Sequence, residues 1–328
     1  MCRSLVILLW LVLVPFFCSA DETKDKPFEL LNGDRVLFLG GSFFERALEY
    51  GHLETALALR FPDQDISFRN IGWDGDTVFG HSRTGGRRRA VFGDAEEGFQ
   101  RMVEHVRSLK PSVIFLAYGS NESFEGLKGV THFKKGLHRL IKELGNGGKV
   151  RFVFLSPLPV IPKFLPNPSY YKDRHAALMA YTEALRSVAD ETQHPFVDLI
   201  RPLANTEFTN NGLHPHSLGY RLIASQLAHQ LNLPSSRVKL TSNKAETLRA
   251  YIIKKNVLYF HRWRPRNDAF VYGERKDEQK IAQTEPAQFE SFIVKEETNI
   301  RNLLKSCLLY TSDAADEGLG VDLGGRRI

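Results

Sequence analysis

Cysteine is nearly missing from this chain. Three occur in 328 residues: Cys2 and Cys18 near the start, and Cys307 near the end. Everything between 18 and 307 is therefore without a disulfide framework and without a thiolate metal site. Long basic blocks are also absent. Lys and Arg number 44 against 38 Asp and Glu, a formal charge of +6. That balance is mildly basic, and no run is long enough to argue for nucleic acid. Past the first twenty residues no apolar run reaches the length of a membrane span. No internal repeat stands out. A Gly-Gly-Ser follows the first apolar strand-like segment, but no GKS or GKT comes after it. A phosphate-binding loop of that type would lack its lysine.

The two ends differ from the middle. Residues 1–20, MCRSLVILLWLVLVPFFCSA, carry one early charge at Arg3, an apolar centre, and the small residues Ser19 and Ala20. This pattern predicts a secretory signal peptide cleaved after Ala20, and export to the periplasm or the extracellular space. Residues 307–328, CLLYTSDAADEGLGVDLGGRRI, change texture and have no helical or strand period. They resemble translated sequencing adapter, and the natural protein is expected to continue past Ser306. Without the two ends the net charge is about +7, and no cysteine remains.

Strand-like and helix-like segments alternate in the middle. Short apolar runs at 36–39, 66–70, 112–117, 150–155 and 195–199 predict strands. Helical spacing covers 45–60, 96–109, 132–144, 171–190 and 217–231. This alternation predicts an α/β fold with a central parallel sheet covered on both faces, a flavodoxin-like three-layer α/β/α sandwich. All strand C-termini then lie along one edge, where sites form in such sheets. The domain is expected over 29–234. Residues 235–306 read as a mainly helical C-terminal extension, with helical spacing over 240–264.

Four blocks fall just past the strand ends or just before the last of those helices. They are VLFLGGSFF around Ser42, NIGWDGDT from Asn70, YGSNES from Tyr118, and NNGLHPHSLGYRLIA from Asn210. A serine at the tip of a buried strand, with glycines permitting the tight turn, is placed for nucleophilic attack once a base takes its proton. Alone, each block reads equally as a turn, a cap or a surface loop.

As an ordered set, the four blocks closely resemble the SGNH/GDSL hydrolase family over about residues 33–232. The resemblance implies a serine ester hydrolase working through an acyl-serine intermediate, with no metal and no cofactor. It assigns Ser42 as nucleophile and His214 as general base. It assigns the backbone N–H groups of Ser42 and Gly75 and the Asn121 amide as an oxyanion hole. The family's aspartate, three residues before the histidine, is Asn211 here. An amide can orient the imidazole but cannot neutralise its positive form, and in serine proteases that exchange costs about 10⁴ in kcat. The family's GDS is GGS here, with Gly41 in place of Asp.

Substrate preference is read from the surroundings. The loop 81–94 carries Arg83, Arg87, Arg88 and Arg89, which read as an anion-attracting rim suited to uronate or sulfated carbohydrate. Trp73, Phe79, Tyr118 and Phe124 are aromatics expected near the site, and Trp73, Arg83, Arg87 and Phe124 are the candidate substrate contacts. An O-acetylated carbohydrate is the first expectation. The rivals are a lipase or lysophospholipase, with a groove lined by Phe43, Phe44 and 161–171, and a non-catalytic carbohydrate-binding domain. The partner is a small-molecule or polysaccharide ester, not nucleic acid or membrane.

Overall fold

The computed structural model describes residues 27–83, 95–164, 167–204, 207–271 and 275–316. The expected signal peptide and the loop arginines 87–89 lie outside these residues. Five strands form one sheet: β1 (Arg35–Gly40), β2 (Ser67–Asn70), β3 (Val113–Ala117), β4 (Arg151–Leu155) and β5 (Phe196–Val197). Their order is β2-β1-β3-β4-β5, with every pairing parallel. Phe38 sits opposite Asn70 on one side and Phe115 on the other. β1, β3 and β4 are rich in Val, Ile, Leu and Phe because both faces of a parallel sheet are buried, whereas the edge strand β2, SFRN, is not.

Side chains alternate between those faces. Val36, Phe38, Val113, Phe115, Val153 and Leu155 enter one core layer. Leu37, Leu39, Ile114, Leu116, Phe152 and Phe154 enter the other. The first layer is closed by α1 (Ser42–Ala47), α2 (His52–Ala58) and α7 (Ser217–Gln230); the second by α3 (Ala95–Leu109), α4 (Val130–Leu144) and α5 (Pro168–Glu191). A single turn, α6 (Ile200–Leu203), follows β5. The expected α/β/α sandwich is thus the fold observed.

One expected helix is divided. The helical spacing over 45–60 resolves into α1 and α2, separated at Gly51, which has φ +66°. A Cβ at Gly51 would lie 3.1 Å from the Ile253 side chain. The break therefore admits a helix from far along the chain, which local periodicity does not encode.

That helix is α8 (Asn243–Trp263). It is followed by α9 (Asp268–Val271) and α10 (Glu285–Asp316). α8 begins on Ser242, whose hydroxyl accepts the Ala245 N–H, and it packs along α2, β2 and α10. Lys255 of α8 and Glu54 of α2 form a buried ion pair, and the Lys255 Nζ also donates to the Phe68 carbonyl of β2 at 3.2 Å. Burial pushes the Glu54 carboxyl up and the Lys255 ammonium down. α10 continues ten residues past Ser306, into a segment expected to lack a helical period. Leu and Ala favour helix strongly, and no glycine interrupts before Gly318.

Candidate active site

β1 ends by running against β3. A Cβ at Gly40 would sit 2.4 Å from the Ala117 carbonyl oxygen, so only glycine fits there. The chain then turns at Gly41 and presents Ser42 as the first residue of α1. Gly41 is crowded as well: a Cβ would lie 3.0 Å from Asn121 Nδ2 and 3.2 Å from the Asp76 carbonyl oxygen. The glycine at this position thus lets the Asn121 amide come close to the serine turn.

The loop after β2 supplies the next groups. Gly75 takes φ +75° and directs its N–H at Ser42 Oγ, 3.5 Å away. The Ser42 hydroxyl donates to the carboxylate of Asp74, next to Gly75. Asp74 is itself fixed: its N–H donates to Glu45, and Glu45 is held by Arg264 in a two-point ion pair, with N–O distances of 3.0 and 2.6 Å. A chain of contacts therefore runs from the end of α8 to the candidate nucleophile.

Beneath this loop lies a buried polar layer. Asp76 accepts from Arg83 Nε at 2.8 Å, from the Tyr118 hydroxyl at 3.1 Å, and from the Ser82 N–H at 3.3 Å. Arg83 also donates to the Ile71 carbonyl at 2.7 Å. The Asp76 carbonyl accepts from Asn121 Nδ2 at 2.7 Å, which ties the loop after β2 to the loop after β3. Glu122 makes a second tie by accepting from the Val78 and Gly119 N–H groups, at 2.8 and 2.7 Å. Burial pushes the Glu122 carboxyl up to about 7.

His214 comes from the loop before α7. Asn211 shapes that loop: its Oδ1 accepts the N–H groups of Leu213 and His214, at 3.0 and 2.9 Å, and the Thr209 hydroxyl at 3.1 Å. Its amide therefore holds the backbone of His214 and not the ring. His216 caps α7 by accepting the Gly219 N–H on Nδ1. The His214 imidazole is half-buried and titrates below its ordinary range. Desolvation is the main cause, the Arg46 charge adds to it, and Asp74 opposes it. The ring is thus neutral, and able to accept a proton, near pH 7.

Ser42, Gly75, Asn121 and His214 line one cleft of about 430 Å³. Asp74, Phe124, Ser156, Arg174 and the apolar Leu158, Val160, Leu178 and Leu213 complete it. The other expected contacts are distributed differently. Arg83 is 3% exposed and neutralised by Asp76, so it is part of the buried layer and not of an anion-attracting rim. Trp73 stands outside the cleft, against Trp263 at 5.5 Å and under the Arg264 guanidinium at 4.6 Å. Tyr118 is buried on Asp76 and still lines the cleft, as expected, whereas Phe79 stacks on His132 away from it. Phe44 is a core residue, whereas Phe43 does reach the cleft. Phe124 lines it and is 68% exposed.

Sequence reading singled out neither Asp74 nor Arg174. Asp74 had a signal, an acid beside the candidate oxyanion glycine. Arg174 lay in an ordinary charged helix start and had none.

Comparison with known proteins identifies the family. No curated protein matches the sequence. Among solved structures, a GDSL-like lipase from Bacteroides thetaiotaomicron is similar at 18% identity, over 61% of this chain and 88% of that one, with a TM-score of 0.43. A catalytic mutant of an acetylxylan esterase from Geobacillus stearothermophilus is similar at 16% identity, over 65% and 100%, with a TM-score of 0.49. A lipase/acylhydrolase from Enterococcus faecalis is similar at 18% identity, over 63% and 100%, with a TM-score of 0.42. Residues 38–222, which contain Ser42, Gly75, Asn121 and His214, match the GDSL-like lipase/acylhydrolase family. The chain belongs to that family of ester hydrolases.

Proposed function

We propose that the protein is an exported serine esterase that removes small acyl groups, acetyl first among them, from carbohydrate hydroxyls. The observation that carries this reading is the meeting of Ser42, Gly75, Asn121 and His214 in one cleft. In the resting arrangement the Ser42 hydroxyl is turned to Asp74. Attack begins when that hydroxyl swings to the neutral His214 ring, which takes its proton as Oγ bonds to the ester carbon. The tetrahedral oxyanion is received by the N–H groups of Ser42 and Gly75 and by Asn121 Nδ2. His214 then protonates the leaving alcohol, and a water activated by the same ring releases the acyl group.

Asn211 cannot stabilise the imidazolium formed in these steps, because its amide is neutral and bonded to backbone. Asp74, which lines the same cleft, supplies that charge: its carboxylate favours the protonated ring. The apolar wall of Leu158, Val160, Leu178 and Leu213 suits a short acyl chain. Export rests on the signal-like residues 1–20.

The test compares the purified protein with Ser42→Ala. Both are treated with a fluorophosphonate, weighed intact, and assayed on an aryl acetate and on acetylated xylo-oligosaccharide. A single adduct and turnover on both acetates in the wild type alone is expected. Absence of an adduct in the folded wild type would overturn the reading. Asn121→Ala is expected to lose about 100- to 1000-fold in kcat.

A further inference from the structure

Three cationic side chains are buried among the described residues: Arg83, Lys255 and Arg174. Arg83 is neutralised by Asp76 and Lys255 by Glu54. Arg174 is 8% exposed, and no carboxylate among the described residues pairs with it. Its one hydrogen bond goes from Nη1 to the Ser123 hydroxyl, at 3.0 Å. Its guanidinium lies 3.9 Å from the centre of the Phe124 ring. Neither neighbour is an anion. Burial of a charge without a counter-charge is costly, and a fold keeps one where something else supplies the partner.

Arg174 also lines the cleft that holds Ser42 and His214. The acids nearby are already committed. Asp76 serves Arg83, Glu122 accepts two backbone N–H groups, and Asp74 accepts from Ser42. Desolvation lowers the proton affinity of Arg174, but a guanidinium stays charged throughout the working range of pH. What remains is a planar fork with four unused N–H donors, held against an aromatic ring at the wall of the cleft. That shape matches a carboxylate in a two-point contact.

We propose that Arg174 binds a carboxylate on the alcohol half of the ester, so that the substrate class is an O-acetylated sugar acid of the uronate kind. This deepens the esterase reading and rests on it. The acetyl group meets Ser42 while the carboxylate of the same sugar supplies the counter-charge that the protein omits. Arg174 thus performs the role that the sequence had pointed to at Arg83.

The experiment measures kcat/KM on a matched pair, O-acetylated methyl glucuronoside and O-acetylated methyl glucoside, in the wild type, Arg174→Gln and Arg174→Lys. An aryl hemisuccinate beside the aryl acetate tests a carboxylate on the acyl half. The wild type is expected to prefer the glucuronoside by about 10- to 100-fold, the range of one charged hydrogen-bonded pair. Arg174→Gln brings that ratio near one, and Arg174→Lys restores part of it. Free glucuronate slows fluorophosphonate labelling of the wild type. This readout and the wild-type ratio stand even where Arg174→Gln does not fold.

Hydrolysis of both sugars without preference overturns this inference and leaves the esterase reading intact. An equal ratio in the wild type and a folded Arg174→Gln does the same. Preference confined to the hemisuccinate overturns the alcohol-side assignment. No hydrolysis and no labelling overturns both readings.

Discussion

Asp76→Asn is expected to destabilise the protein by about 3 kcal/mol and to lower kcat with it. Asp76 is 1% exposed, and its partner Arg83 is 3% exposed. Breaking a buried ion pair by neutralising one member costs about 3–5 kcal/mol, because the other charge stays behind without compensation. Asparagine keeps an oxygen for the Ser82 N–H or the Tyr118 hydroxyl, which recovers about 1 kcal/mol and sets the expectation at the low end. The midpoint of thermal unfolding should fall by roughly 6–12 °C. Urea titration gives the free-energy difference directly, provided the slope is unchanged. The double variant Asp76→Asn with Arg83→Met sharpens the test. With both charges gone no buried cation is stranded, so the double variant should be more stable than Asp76→Asn alone. A loss below about 1 kcal/mol in Asp76→Asn, or a double variant less stable than the single one, would refute the argument that Arg83 depends on Asp76.

Two further outcomes are expected. In the proposed mechanism the neutral His214 ring is the active form, so kcat/KM rises with pH through its titration, which lies below the ordinary histidine range. Arg46→Gln removes a charge that depresses it and should move this limb to higher pH, while Asp74→Asn should move it lower; a pH profile of kcat/KM reads both. Arg264→Leu frees Glu45 and with it the Asp74 N–H, so the labelling rate of Ser42 should fall about 10-fold, the equivalent of one lost charged hydrogen bond, with partial recovery in Arg264→Lys.

The sheet could be read from the sequence because its strands are buried on both faces. Residues 113–117 and 152–155 are apolar runs that surface elements do not carry. The four site blocks could be read because each follows a strand end or precedes the helix α7. The missed features depend on partners distant in sequence. The break at Gly51 is set by Ile253, two hundred residues away. Arg83 belongs to a charge-rich loop, and charge-rich loops are ordinarily solvated; its burial is decided by Asp76 and by the Ile71 carbonyl. Asn211 looked like a substitute for an acid on the imidazole, yet its oxygen is consumed by three donors of its own turn. Arg174 is notable only for the carboxylate it lacks, and an absent neighbour leaves no mark in a one-dimensional pattern.

The extension has a consequence at the far side of the sheet. β2 is an edge strand, and an open edge offers free backbone groups to a strand from another molecule. Here α8 lies along that edge, and the Lys255 ammonium and the Arg69 guanidinium both occupy the Phe68 carbonyl. The helix that steadies the catalytic turn through Arg264 therefore also acts as a guard against self-association. A hydrolase domain trimmed to the family's boundaries would lose the Arg264 anchor of its serine turn and expose a sticky margin as well, so one helix limits on two counts how short this enzyme can be made.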